Sequence, residues 1–112
     1  MKLEISGHQV EVGQAFRTYI TDKLQDKIKK FFDDVISVQV VIGRNGTFFS
    51  SEIVINEGIG HKILRADGSA ADAHAAFDES VHKMKAQLSK HKEQRLESRR
   101  QKRKAAEDGG GF

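Results

Sequence analysis

The spacing of apolar residues changes along the chain, and each change of period predicts an element. Residues 2–8 (KLEISGH) alternate, with Leu3 and Ile5 on one side, as a short strand does. From Val12 to Phe32 the period becomes helical. Phe16, Ile20, Leu24, Ile28 and Phe31 fall on one stripe of a helix of about five turns, which Asp33 and Asp34 are expected to end. Val35 to Ile42 returns to period two, with Ile36, Val38, Val40 and Ile42 on one face of a β-branched strand. Asn45-Gly46 predicts a hairpin through a type I′ turn. A strand over Phe48–Asn56 follows, its Phe49, Ser51, Ile53, Ile55 set alternating with Phe48, Ser50, Glu52 and Val54. A second turn is expected around Glu57-Gly58, and a last strand over Ile59–Ala66. Asp67-Gly68 is read as the exit from the sheet, and Ser69 with Asp72 as a capping-box-like helix start. The second helix then runs from about Ala70 to at least Lys92. Its stripe is Ala73, Phe77, Val81, Met84 and Leu88, and it fails beyond Leu88, where His91 and Arg95 take the continuing positions.

The order is therefore β-α-β-β-β-α. Both helices carry one apolar stripe, so both can lie on one face of a four-stranded mixed sheet, a two-layer α+β sandwich. Residues 1–98 form the expected domain. Residues 99–112, basic and then glycine-rich, are expected to be a flexible tail or the start of a linker.

Composition narrows the function. The 112 residues amount to one domain. Without cysteine, disulfides and thiolate metal sites are excluded. No run reaches the roughly 18 apolar residues of a membrane span, and the alternating start is no signal peptide. A cytoplasmic protein is expected, with no membrane partner. The net charge of +3 conceals an uneven distribution. Residues 1–70 hold nine Lys/Arg against nine Asp/Glu, whereas residues 83–104 hold ten against two. Such a local excess attracts polyanions, although charge runs also serve simply to solvate a helix.

Catalytic constellations are missing from the sequence. His8, His61, His74, His82 and His91 show no helical i,i+4 pair and no HExxH. Ser50 and Ser51 lack a nucleophile-elbow context. Gly43, Gly46, Gly58 and Gly60 flank turns without a phosphate-binding lysine motif. The reading is a protein that is not an enzyme and takes no cofactor, metal or small-molecule substrate.

The basic residues form lines. Lys23, Lys27 and Lys30 stand at i, i+4, i+7 beside the first helix's apolar stripe, with Arg17 on its other flank. On the second helix Lys85, Lys92 and Arg99 recur every seven residues along one border, and Lys83 and Lys90 lie on the other. Side-by-side helices would bring some of these lines together on the exposed helical layer, a surface suited to phosphates but carrying no base code.

Two segments, ISGHQVEVGQAFRTYITDKL (residues 5–24) and ADGSAADAHAAFDESVHKMKAQLSKHKEQ (residues 66–94), resemble the ribosome hibernation promoting factor and ribosome-associated translation inhibitor family. The second carries that family's pattern at Asp72, His74, Ala76-Phe77-Asp78 and Gln87-Leu88-Ser89-Lys90-His91-Lys92. The likeness spans residues 1 to about 98. It implies a protein that binds the small ribosomal subunit through 16S-type rRNA, in the channel used by mRNA and tRNA, and so inhibits translation and preserves idle ribosomes under stress. It implies rRNA contacts by Arg17, Lys23, Lys27 and Lys30 on the first helix, and by Lys83, Lys85, Lys90, Lys92 and Arg95 on the second. Two positions depart: His74 where tyrosine is common, and Ala86 where a basic residue is common. Long members add a dimerising C-terminal domain, without which dimerisation is not expected.

Two other readings compete. A general double-stranded RNA-binding domain shares the β-β-β-α part and overall fold, but usually opens its last helix with lysines, where this chain has Ser69-Ala70-Ala71-Asp72. A regulator of a protein partner would bind in a salt-insensitive way.

Overall fold

The computed structural model describes residues 2–28, 37–56 and 63–90. Strand β1 (Lys2–His8) is followed by helix α1 (Gln14–Ile28), then by strands β2 (Ser37–Asn45), β3 (Phe48–Asn56) and β4 (Ile63–Ala70). Helix α2 closes the order and is described over residues 73–90. The sheet order is β1-β2-β3-β4. β1 lies parallel to β2, and the remaining pairs are antiparallel. This is the expected mixed sheet in a two-layer α+β sandwich.

Strand alternation decides which face is covered. Val38, Val40 and Ile42 from β2, Ile53 and Ile55 from β3 and Ala66 from β4 are buried together with Ile20 and Leu24 of α1 and Phe77, Val81, Met84 and Leu88 of α2. Leu3, Ile5, Phe16 and Ala73 pack against this layer, partly buried. Both helices thus cover one face. The other face shows Glu4, Gln39, Glu52, Arg65 and Asp67 to solvent.

The element ends differ from the sequence reading in instructive ways. β2 runs on to Asn45, pairing Arg44 with Phe49 and Asn45 with Phe48. The hairpin loop is therefore Gly46-Thr47 rather than Asn45-Gly46. Gly46 has φ of 65°, and Thr47 is not among the positive-φ residues. Positive φ at only the first central position is the type II′ pattern, not type I′. Asp67, Gly68 and Ser69 lie inside β4, opposite Glu52, Ser51 and Ser50, instead of leading out of the sheet. α2 begins at residue 73, and its cap is Asp72. The Asp72 carboxylate accepts the Ala75 amide at 2.8 Å, and its carbonyl accepts that of Ala76. Ser69 is committed to the ladder and does not cap. α1 begins at Gln14, after a short link in which Gln9 takes φ of 58°. The expected end of α1 at Asp33-Asp34, the turn at Glu57-Gly58 and residues 59–62 of the expected last strand lie outside the described residues.

Gly68 explains why strand replaces turn. A Cβ built there would sit 2.5 Å from the Ala76 carbonyl oxygen and 2.8 Å from the Ser80 amide nitrogen. Only glycine lets the α2 backbone come this close. Next to it, Ser51 and Ser80, both buried, share a hydrogen bond of 2.8 Å, and Ser80 also donates to the Phe77 carbonyl. The small, hydrogen-bonded patch is where the second helix seats on the sheet.

Two changes test this packing. Phe77→Ala should cost about 3–5 kcal/mol by opening a cavity, and Gly68→Ala about 1–3 kcal/mol by pushing α2 off β4. Urea denaturation of both variants checks the pair, and an unchanged midpoint in either would contradict the packing described.

Candidate nucleic-acid interface

The two helices run side by side, and the side chains between them are aromatic near their starts and charged further along. Phe16 of α1 stacks on His74 of α2 with ring centroids 4.3 Å apart and planes 24° apart. Phe77 meets Phe16 edge-on at 6.2 Å. One turn along, the Tyr19 hydroxyl donates to the Asp78 carboxylate at 2.7 Å, and the Lys23 ammonium donates to the same oxygen at 2.6 Å. Lys23 also donates to the Tyr19 oxygen at 3.1 Å. A carboxylate receiving two donors from the neighbouring helix fixes the helices against each other.

The charges respond to this arrangement. Partial burial works against the Lys23 charge, but the hydrogen bonds to Asp78 and Tyr19 and the Asp78 charge outweigh it, raising its pKa above 10.5. Partial burial likewise opposes the Asp78 charge. Hydrogen bonds from Lys23 and Tyr19, with the charges of Lys23 and His74, overcome this and lower its pKa below 3.8.

The other sequence-predicted residues sort by position. Lys27 is one turn beyond Lys23 on the same flank, exposed, with a loose contact to Asp26 at 3.7 Å. Lys85 lies two turns beyond Asp78, on the flank of α2 that faces α1. It is exposed and makes no ion pair among the described residues. Helical spacing from the Lys23–Asp78 contact therefore puts Lys23 and Lys27 on the flank of α1 that faces α2, and Lys85 on the flank of α2 that faces α1. Lys83 and Lys90 lie on the far flank of α2. Lys83 is paired with Glu79 at 3.1 Å, while Lys90 is exposed and makes no ion pair among the described residues. Gln87, between them, donates to the Arg65 carbonyl on β4 at 2.8 Å. Arg17 is set apart from all of these. Its guanidinium donates to the carbonyls of Val12 and Ile5, both at 3.0 Å, so it ties α1 to the edge of β1. Lys30, Lys92 and Arg95 lie outside the described residues.

Sequence reasoning missed Tyr19 and Asp78 as the centre of this arrangement. The signal was present as Tyr19 and Lys23 at i,i+4 with an acid on the other helix, but only the pairing of helices shows which acid. Among the described residues no cluster of His, Asp and Glu is placed to hold a metal ion, and no helix is long and apolar enough to cross a membrane.

The sequence profile of the family described as sigma 54 modulation protein / S30EA ribosomal protein matches residues 3–96. The chain belongs to this family. Members of the family are non-enzymatic. The chain is 31% identical over 105 residues to the ribosome hibernation promoting factor of Azotobacter vinelandii, covering 94% of this chain and 95% of that protein. It is 31% identical over 93 residues to the protein of the same name from Escherichia coli K12, covering 83% and 95%. A Rhizobium meliloti ribosome hibernation promotion factor is 29% identical over 92 residues, 82% of this chain but 48% of that protein. The chain thus spans about half the length of that relative and of its Bradyrhizobium diazoefficiens counterpart. Among solved structures, the fold matches a ribosomal subunit interface protein from Coxiella burnetii with a TM-score of 0.71, at 22% identity over 82% of this chain and 98% of that one. It also matches the N-terminal domain of Thermus thermophilus Protein Y with a TM-score of 0.68, at 24% identity over 81% and 99%.

The Lys23–Asp78 contact has a pH signature. Asp78 has a lowered folded pKa, so its contribution is present above 3.8 and lost as pH falls through the folded value. Lys23 has a raised one, so its contribution is present below 10.5 and lost as pH rises through the folded value. The side chains are 25% and 43% exposed, so solvent screening limits the effect to about 0.5–1 kcal/mol. Asp78→Asn should be less stable than the parent by this amount at neutral pH. Thermal melts across pH check it, since the gap should close at both acid and alkaline extremes.

Proposed function

We propose that the chain is a cytoplasmic ribosome hibernation factor that binds the small ribosomal subunit through 16S-type rRNA. It would occupy the mRNA and tRNA channel, inhibit translation and preserve idle ribosomes under stress. The observation that carries the reading is the seam between α1 and α2, with Lys23, Lys27 and Lys85 on its facing flanks, in a chain whose relatives are named for ribosome hibernation. Lys83 and Lys90 extend the basic surface over the far flank of α2, Lys30 and Lys92 continue these lines in the sequence, and Arg95 follows where the α2 stripe would continue.

The physics of this surface is that of backbone recognition. Lysines meet phosphates as point charges and release condensed counterions, so affinity falls steeply with salt. The roles differ within the set. Lys27, Lys85 and Lys90 are exposed and available to phosphate. Lys23 acts through Asp78, fixing the spacing of the helices, its charge matched by that carboxylate. Arg17 stands apart from the seam, and two of its five N–H donors are held by the carbonyls of Val12 and Ile5.

Co-sedimentation of the purified protein with separated small and large subunits tests the proposal. Binding should be confined to the small subunit and weaken by orders of magnitude over a modest rise in salt. Reversing the charge at Lys27, Lys85 and Lys90 together should abolish it while the fold survives. Normal co-sedimentation of that variant would displace the assigned surface. Salt-insensitive binding, or none to either subunit, would favour a protein partner.

A further inference from the structure

The sheet face opposite the helices is open to solvent, and one end of it is acidic. Strand register sets its residues in rows that cross the sheet. His8, Gly43, Ser50 and Ser69 form one row. Val41, Glu52 and Asp67 lie in the next. Gly43 brings no side chain, so the first row sinks there, and a Cβ at that position would meet the Ser50 hydroxyl oxygen at 2.6 Å. The result is an open depression of about 330 Å³. Buried Gly43 and half-buried Val41 form its floor, and Ser50, Ser69, Glu52 and Asp67 stand around it.

Two carboxylates share this depression. Glu52 is the direct cross-strand partner of Asp67, and both are exposed. Like charges placed directly opposite on neighbouring strands repel each other and cost stability. Arg65, one row along, relieves this only in part, with its guanidinium 3.8 Å from the Glu52 carboxylate. Asp67 makes no ion pair among the described residues. The two rows themselves hold no lysine or arginine.

We propose that this depression takes an arginine side chain from a basic segment of a partner protein. Complementarity of charge and shape carries the assignment. The Cβ atoms of directly opposed strand residues lie about 5 Å apart, and a planar guanidinium can bridge two carboxylates so spaced. The Ser50 and Ser69 hydroxyls can accept from its remaining N–H groups. Val41 offers an apolar surface to its aliphatic stem. A metal ion fits less well, because no three His, Asp or Glu side chains converge among the described residues. RNA fits worse still, since its phosphates would meet both carboxylates. The proposal stands apart from the rRNA reading of the helical layer. It gives the opposite face to protein, and neither reading needs the other.

The test uses the full chain and a fluorescein-labelled peptide of alternating glycine and arginine, read by fluorescence polarisation at low salt. A chain of net charge +3 has no overall attraction for a polycation, so binding reports a local acidic site. The parent should bind the peptide. Glu52→Gln combined with Asp67→Asn should weaken binding roughly tenfold or more. That variant should keep or raise the thermal midpoint, because the like-charge pair is gone. Asp67→Lys, which supplies a cation from within, should abolish binding. A parent that does not bind, or a double variant that binds as the parent does, would overturn the proposal. Displacement of the peptide by magnesium at constant ionic strength would make the depression a metal site and overturn it too. So would a parent dimer on gel filtration that the double variant dissociates, since a second copy would then cover this face. None of these outcomes bears on the co-sedimentation result that decides the rRNA reading.

Discussion

The contact between Gly68 and the backbone of α2 is the constraint on which the layer above the sheet depends. Gly68 has no side chain, so the Ala76 carbonyl and Ser80 amide come within van der Waals reach of the strand. That approach sets the height of α2 over β4 and brings Phe77 and Met84 fully into the core. With α2 seated, Asp78 projects toward α1, and its two donors, Tyr19 and Lys23, fix the spacing of the helices. Lys27 and Lys85, both exposed, lie further along the same two facing flanks. Packing and charge are thus stacked in one order: glycine lowers the helix, the helix places the acid, and the acid holds Lys23.

Much of this was legible from the chain because burial on one face imposes a period on each element. Phe49, Ser51, Ile53 and Ile55 were separable from Phe48, Ser50, Glu52 and Val54 by alternation alone, and the structure divides them the same way. The α2 stripe from Ala73 to Leu88 was equally plain. Element ends were less legible. Asp-Gly is common where a chain leaves a sheet, so Asp67-Gly68 points out of it, whereas the close approach of α2 that keeps Gly68 in β4 leaves no trace in the local pattern. The cap fell to Asp72 instead of Ser69 for the same reason, since β4 had claimed Ser69.

The candidate site divides along similar lines. Periodicity showed which lysines share a flank, and that was enough to place Lys23 with Lys27, and Lys83 with Lys90. It did not show which cations are already engaged. Arg17 looks like any surface arginine in sequence, yet two of its N–H donors are held by backbone carbonyls. Lys23 is committed to an acid fifty-five residues away. Long-range partners of this kind are decided by tertiary packing, so a charge in the sequence says how strong a surface can be but not how much of it is available.

The bonds made by Arg17 and Gln87 bear on a different problem. β1 and β4 are the outer strands of an open sheet, and a bare outer strand invites another chain to add to it. Arg17 occupies the Ile5 carbonyl on one side, and Gln87 the Arg65 carbonyl on the other. Each margin of the sheet thus has a backbone acceptor already taken by a side chain from the helix above it. A strand from a second molecule would have to displace those donors before it could pair in register at those positions.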